Sequence, residues 1–166
     1  MASNICVVGL LNSYTKNVTK RVSDVLEMFY TDVTEVLEYD LMGIDVAESI
    51  VGKEYIEKQE TGTIKMLSSY VNTIFTIGFS SLNNENNFGY VKDGCLIIYL
   101  RCNQTKFKQR LADEKLSNTE RELAIKQFKD RDKILSDMVD IVADVSKNED
   151  EINIILRKIE EYYEKR

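Results

Sequence analysis

The residues best suited to chemistry lie just behind an apolar run. Asn4-Ile5-Cys6-Val7-Val8 leads into Gly9, and Asn12, Ser13, Thr15, Lys16 and Asn17 follow within one short stretch. Amides, hydroxyls and a cation after a glycine turn at the end of a buried strand are the groups that hold phosphates. A phosphate-binding loop of the form G-x-x-x-x-G-K-[ST] needs glycine at its sixth place so that backbone N–H groups can wrap the phosphates, then lysine, then a hydroxyl for magnesium. Counted from Gly9 without gaps, those places hold Tyr14, Thr15 and Lys16. Tyr14 lacks the freedom of glycine at positive φ, and a cation at the metal-ligand place repels Mg²⁺. A one-residue insertion would return Lys16 to the lysine role with Asn17 beside it, with Thr15 where glycine is needed. Asn12, Ser13, Thr15, Lys16 and Asn17 are therefore the candidate nucleotide-binding residues. Lys16 alone is a catalytic candidate, and only if the loop is rearranged.

The elements that must carry these residues follow from periodicity. Short apolar runs alternate with longer stretches of helical period, the pattern of a parallel sheet covered by helices. Strands are expected at Asn4–Gly9, Thr73–Ile77, Cys95–Arg101 and Ile141–Val145, with a weaker one at Phe29–Asp32. Helices are expected at Lys16–Met28, Thr34–Leu41, Val46–Ile50, Lys53–Ser69, Asn84–Lys92, Thr105–Glu114, Glu120–Asp137 and Glu149–Glu164. In the last of these, Ile152, Ile155, Leu156, Ile159 and Tyr163 form a stripe able to dock on the sheet or on a partner.

Composition narrows the classes. With 166 residues, 43% of them hydrophobic, the chain fits one domain over 1–166 that folds without disulfide or metal staples. Cys6, Cys95 and Cys102 sit in apolar runs without paired spacing and read as small buried hydrophobes. Histidine is absent and no C-x-x-C occurs, so no zinc site is indicated. No apolar run reaches the roughly 18 residues that cross a bilayer, and the N-terminus lacks signal-peptide order. The expectation is a cytoplasmic chain with no membrane partner. A net charge of −6 argues against nucleic acid, whose binding relies on lysine and arginine neutralising phosphates.

Several motifs, in order along the chain, resemble the shikimate kinase family. Arg131-Asp132-Lys133-Ile134-Leu135-Ser136-Asp137-Met138-Val139-Asp140-Ile141-Val142-Ala143-Asp144 is similar to the family ending R-x-P-L-Y-x-x-x-A-D-I-x-x-D, with its spacing kept. Gly52 followed by Glu60 resembles the G-E-x-x-F-R-x-x-E helix. Ile77-Gly78-Phe79-Ser80-Ser81 resembles the T-G-G-G-A turn, and Gly94-Cys95-Leu96-Ile97-Ile98-Tyr99-Leu100 the G-x-V-V-Y-L strand.

The resemblance implies an α/β, three-layer P-loop kinase fold: a five-stranded parallel sheet flanked by helices, with a short lid at about 111–120. It implies ATP and Mg²⁺ as cofactors and a small molecule as acceptor. Asp32 aligns with the first Asp of the family's D-x-D pair, near magnesium and substrate, and Thr34 replaces the second, which serves as base or orienter. Read as a residue alone, Asp32 is a helix N-cap. Gly78 and Arg131 fall at substrate-binding places, and Arg110 at the place of the arginine that packs on adenine. As plain sequence, Arg110 with Glu114 is an i,i+4 helix pair. Glu57 stands where a substrate arginine belongs, and Phe79 replaces a glycine, so a carboxylate substrate meets repulsion and lost space. The lid lacks its R-P-L sequence, leaving Lys115 or Arg121 as substitutes.

Replacement at Tyr14, Thr15, Lys16, Thr34 and Glu57 together leads to a pseudokinase or binding protein of this family without shikimate kinase activity. The alternative is an active ATP-dependent kinase for shikimate or another hydroxyl acceptor, using Lys16, Asp32, Arg110 and Arg131. A third reading is an interaction module, homodimeric or with a protein partner, formed through the C-terminal stripe or the helix carrying Tyr55, Ile56 and Met66.

Overall fold

Alternate residues of the central strands point to opposite faces of a sheet, and here both faces are apolar. Ile5 and Val7 of β1 (Asn4–Val8) join one core cluster, while Cys6 and Val8 join another. The same alternation sends Leu96, Ile98 and Leu100 of β4 (Cys95–Arg101) to the first cluster and Cys95, Ile97 and Tyr99 to the second. Strands buried on both faces belong to a parallel sheet covered by helices. The computed structural model, which describes residues 4–147 and 150–166, has that form. Its five parallel strands run in the order β2-β3-β1-β4-β5, with β2 at Phe29–Asp32, β3 at Thr73–Ile77 and β5 at Ile141–Asp144.

The helices, in chain order, are α1 Asn12–Leu26, α2 Val33–Asp40, α3 Ile44–Val51, α4 Lys53–Ser68, α5 Phe79–Leu82, α6 Glu85–Gly94, α7 Gln104–Leu111, α8 Asn118–Met138 and α9 Glu151–Glu164. Val18, Val22, Phe107, Phe128, Ile154 and Ile155 fill the first cluster from α1, α7, α8 and α9. Ile64, Leu67, Val91 and Leu135 fill the second from α4, α6 and α8. Each such side chain, fully buried, contributes about 1.5–3 kcal/mol relative to exposure.

The expected strands all form, within a residue of their expected ends. The helix expectations need correction at three places, one being the helix expected at Thr105–Glu114, which ends at Leu111. The first helix starts at Asn12 rather than Lys16: Thr15 N–H donates to Leu11 O at 2.8 Å, and Leu11 is anchored in the core. No residue from 9 to 16 takes positive φ, so nothing interrupts the helical turn. The short α5 follows Gly78 where a turn was expected. For the helix expected at Glu149–Glu164, Glu149 lies outside the described residues. In α9, Ile155 is buried, Ile152, Ile159 and Tyr163 pack on the first cluster, and the helix lies against α1 and β5. The stripe offered to sheet or partner is thus taken by the sheet. Among the described residues the three cysteines are buried and free of disulfides. No described helix is long and apolar enough to cross a membrane.

Candidate functional site

Parallel α/β sheets bind ligands outside the carboxyl ends of their strands, where strand order reverses. Those ends carry Gly9 after β1, Asp32 closing β2, Gly78 after β3 and Cys102 after β4, brought level by the pairings Val8 with Ile77 and Tyr99, and Asp32 with Thr76. Only Gly9, Leu10 and Leu11 separate β1 from α1. The start of α1 exposes backbone N–H groups that need acceptors. Its cap residue, Leu11, has none to offer, and no acidic residue lies in the first turn. The acceptor comes from the α7–α8 connection: Glu114 Oε1 takes a hydrogen bond from Ser13 N–H at 2.8 Å. Glu114 is only 7% exposed. Arg121 Nη2 donates to the Glu114 carbonyl at 3.4 Å, behind the same segment.

Thr15 points back at the turn. A Cβ placed on Gly9 would lie 2.1 Å from Thr15 Oγ1, so glycine is required there by contact rather than by φ. The Thr15 hydroxyl is buried and has no hydrogen-bond partner among the described residues. Tyr14 turns the other way. Its ring lies under the Arg110 guanidinium, 4.2 Å from Cζ to ring centre, and its hydroxyl donates to Glu151 Oε1 at 3.1 Å. Arg21 holds the other oxygen of Glu151 at 3.3 Å. Burial pushes the Tyr14 hydroxyl well above its usual range, against the opposing pull of Arg110. Burial would raise Glu151 too, but its own backbone N–H, Tyr14 and Arg21 together leave it lowered.

On the far side of α1, a cleft of about 100 Å³ is lined by Asn12, Thr15, Lys16, Asp32, Thr34, Thr76, Ile77 and Gly78. Asp32 is buried with both oxygens taken: Oδ1 accepts from Glu35 N–H at 3.0 Å, capping α2, and Oδ2 accepts from Thr76 Oγ1 at 2.5 Å. Tyr30 OH lies 3.3 Å from Thr76 Oγ1, and burial pushes its pKa up to about 12. Lys16 Nζ sits 3.2 Å from Glu35 Oε1 at the rim.

Beyond the cleft, Arg131 Cζ lies 4.6 Å above the ring of Phe79, itself half-buried against the second cluster. Asp132, next along α8, gathers a tight network. Tyr99 OH donates to Oδ1 at 2.8 Å, and Arg101 bridges Asp132 (Nε–Oδ1 2.8 Å, Nη2–Oδ2 3.0 Å) and Asp144 (Nη1–Oδ2 2.7 Å). Those bonds, to Asp132 first, hold the Arg101 guanidinium above its usual range. Glu57 is exposed on α4, within 4.0 Å of Lys53.

Of the expected site residues, the fold gathers Asn12, Thr15, Lys16, Asp32 and Gly78 around one cleft. Ser13 faces Glu114 and Arg110 faces Tyr14, both on the other side of α1, while Asn17 is exposed and does not line the cleft. Arg131 is engaged with Phe79. The expected Arg110–Glu114 helix pair does not form, because α7 ends at Leu111 and Glu114 turns to α1. Sequence reading missed Glu114, Glu151 and Thr76 as partners of the site. An uncapped helix start after Leu11 was the signal that a distant acceptor was needed. Among the described residues, no group of three or more His, Cys, Asp or Glu side chains is placed to hold a metal ion.

A family model described as Shikimate kinase matches residues 16–162. No curated protein matches the chain. Among solved structures, a shikimate kinase from Acinetobacter baumannii in complex with shikimate superposes with a TM-score of 0.75 at 16% identity, over 99% of this chain and 94% of its own. The shikimate kinase from Bacteroides thetaiotaomicron gives 0.78 at 13%, over 97% and 98%. That from Aquifex aeolicus gives 0.74 at 22%, over 96% and 98%.

Proposed function

The chain belongs to the shikimate kinase family, and we propose that it is a member which has given up phosphoryl transfer and acts through binding, as a pseudokinase. One observation carries this reading: α1 begins at Asn12, with only three residues between it and β1, and its first-turn N–H of Ser13 is already held by the buried carboxylate of Glu114. A phosphate cradle needs a loop of free N–H groups around an anion. Here the connection is too short to form that loop, and an internal anion stands at the helix start. ATP and Mg²⁺, which the family uses, do not fit these residues. Lys16 reaches toward Glu35 rather than across a loop, and both oxygens of Asp32 are committed to the protein.

Two further contacts agree with it. The place the family gives to adenine, on Arg110, is covered by Tyr14. The place it gives to the substrate carboxylate, at Arg131, is covered by Phe79. Phosphate, base and acid are each replaced by a side chain of the chain itself. The test is ADP release by the pure protein with Mg·ATP and shikimate. The expected rate equals that without shikimate, and robust shikimate-dependent turnover would overturn the reading.

A second reading has one observation in its favour, the polar cleft of Asn12, Thr15, Lys16, Thr34 and Gly78 around Asp32. In it the chain phosphorylates another hydroxyl acceptor. Turnover of any such acceptor that Lys16→Ala abolishes would establish it.

A further inference from the structure

The helix α3 is apolar at Ile44, Val46, Ala47, Ile50 and Val51, yet none of its residues is buried. Val46 is 63% exposed and Ile50 76%, while Met42 just before the helix is 90% and Tyr39 at the end of α2 is 85%. Met42, Val46 and Ile50 recur at a spacing of four, and Tyr55 of α4 is exposed on the neighbouring helix. The turns that set α3 in place use left-handed backbone on both sides, Met42 at φ 55° and Gly43 at φ 110° before it and Gly52 at φ 86° after. Scattered exposed apolar residues need no explanation, but a helix that turns Val46, Ile50 and Val51 to solvent next to exposed Met42 and Tyr39 is the mark of an interaction site.

Charge says what covers it. Between residues 35 and 57 stand Glu35, Glu38, Asp40, Asp45, Glu48, Glu54 and Glu57 against Lys53 alone, a balance of −6 that equals the net charge of the whole chain. An anionic membrane or a nucleic acid would be repelled, and a second copy would bring the same acidic rim to the contact. We propose that Tyr39, Met42, Val46 and Ile50 form a docking surface for a basic amphipathic helix of another protein, its apolar face on α3 and its lysines or arginines against the acidic rim. Such helices are read by apolar anchors at i, i+3, i+4 and i+7. The inference extends the binding role proposed above, on which it rests, but a peptide reads it rather than a nucleotide, so either can fail alone.

The experiment titrates the full chain with a fluorescent lysine–leucine amphipathic helical peptide and maps amide exchange. Saturable binding that weakens with salt is expected, with new protection confined to residues 39–55. Ile50→Glu should weaken it by about tenfold or more, and Glu48→Lys should weaken it and reduce the salt dependence. Neither should move the unfolding temperature, because α3 contributes nothing to the core. No binding, equal affinity in both variants or protection elsewhere would overturn the proposal. So would concentration-dependent self-association of the chain that Ile50→Glu abolishes.

Discussion

Replacing Glu114 by alanine removes the acceptor that Ser13 N–H meets at the start of α1. The bond from Ser13 N–H is 2.8 Å long, and the carboxylate is 7% exposed. A hydrogen bond to a charged group is worth about 1.5–3 kcal/mol, and a partly buried charge at a helix end up to about 2 kcal/mol. These overlap, because the same carboxylate supplies both, so the expected loss is about 2–3 kcal/mol. For a chain of this length it lowers the unfolding temperature by roughly 5–10 °C. Glu114→Gln keeps an acceptor without the charge and should recover about half of the loss. Urea unfolding of the three proteins reads these values directly. A second arm asks whether the vacated place takes an anion. Inorganic phosphate should raise the unfolding temperature of the alanine variant and leave the parent unchanged, since a ligand stabilises only the form that binds it. An alanine variant within about 0.5 kcal/mol of the parent, or equal stabilisation of both by phosphate, would refute the reasoning.

Thr15→Val should stabilise the chain by about 1 kcal/mol, because it keeps the shape against Gly9 and removes a buried hydroxyl without a partner; a loss of stability in urea would show that the hydroxyl is satisfied. At alkaline pH, Tyr14, Tyr30 and Tyr99 all have raised pKa values, burial being the first cause in each. The unfolded chain then loses its tyrosine protons first, so stability is full below about pH 10 and falls as pH rises toward the folded value, about 12 for Tyr30. Tyrosinate absorbance should show these groups ionising only with unfolding, and a simple titration of all tyrosines near their usual value would contradict it. At the acid end the sign reverses. Burial alone would raise Asp144 and Glu151, but Ser146 and Arg101 at the first, and the backbone, Tyr14 and Arg21 at the second, leave both lowered. Their contribution is present above about pH 4 and lost below it, so Glu151→Gln and Asp144→Asn should each flatten the acid decline of the urea midpoint, and an unchanged decline would show these pairs to be idle.

The central strands β1, β3 and β4 were legible because burial on both faces leaves continuous apolar runs, which hold whatever the partners are. Asp32 was legible as a cap because its partner is local: the donor, the Glu35 N–H, lies three residues on. What could not be read were partners set by tertiary approach. Glu114 meets Ser13 across 101 residues, and Glu151 meets Tyr14 across 137. No local pattern encodes either meeting, so Glu114 was assigned to the nearest cation on its own helix. The start of α1 departs from the loop motif because its residues favour a helical turn. Once glycine is missing at position 14, nothing in Leu10 to Lys16 opposes helix, and the turn closes four residues early. The apolar face of α3 was read only as a helix, because periodicity shows that a stripe exists and not whether anything covers it.

The most direct measurement is a calorimetric titration of the metal-free protein with ATP, with and without Mg²⁺. If Glu114, Tyr14 and Phe79 stand in for phosphate, base and acid, no binding heat is expected at high nucleotide concentration under either condition. Affinity on the order of micromolar that depends on magnesium would mean that the start of α1 opens to nucleotide, and would contradict the loss of kinase chemistry proposed for this chain.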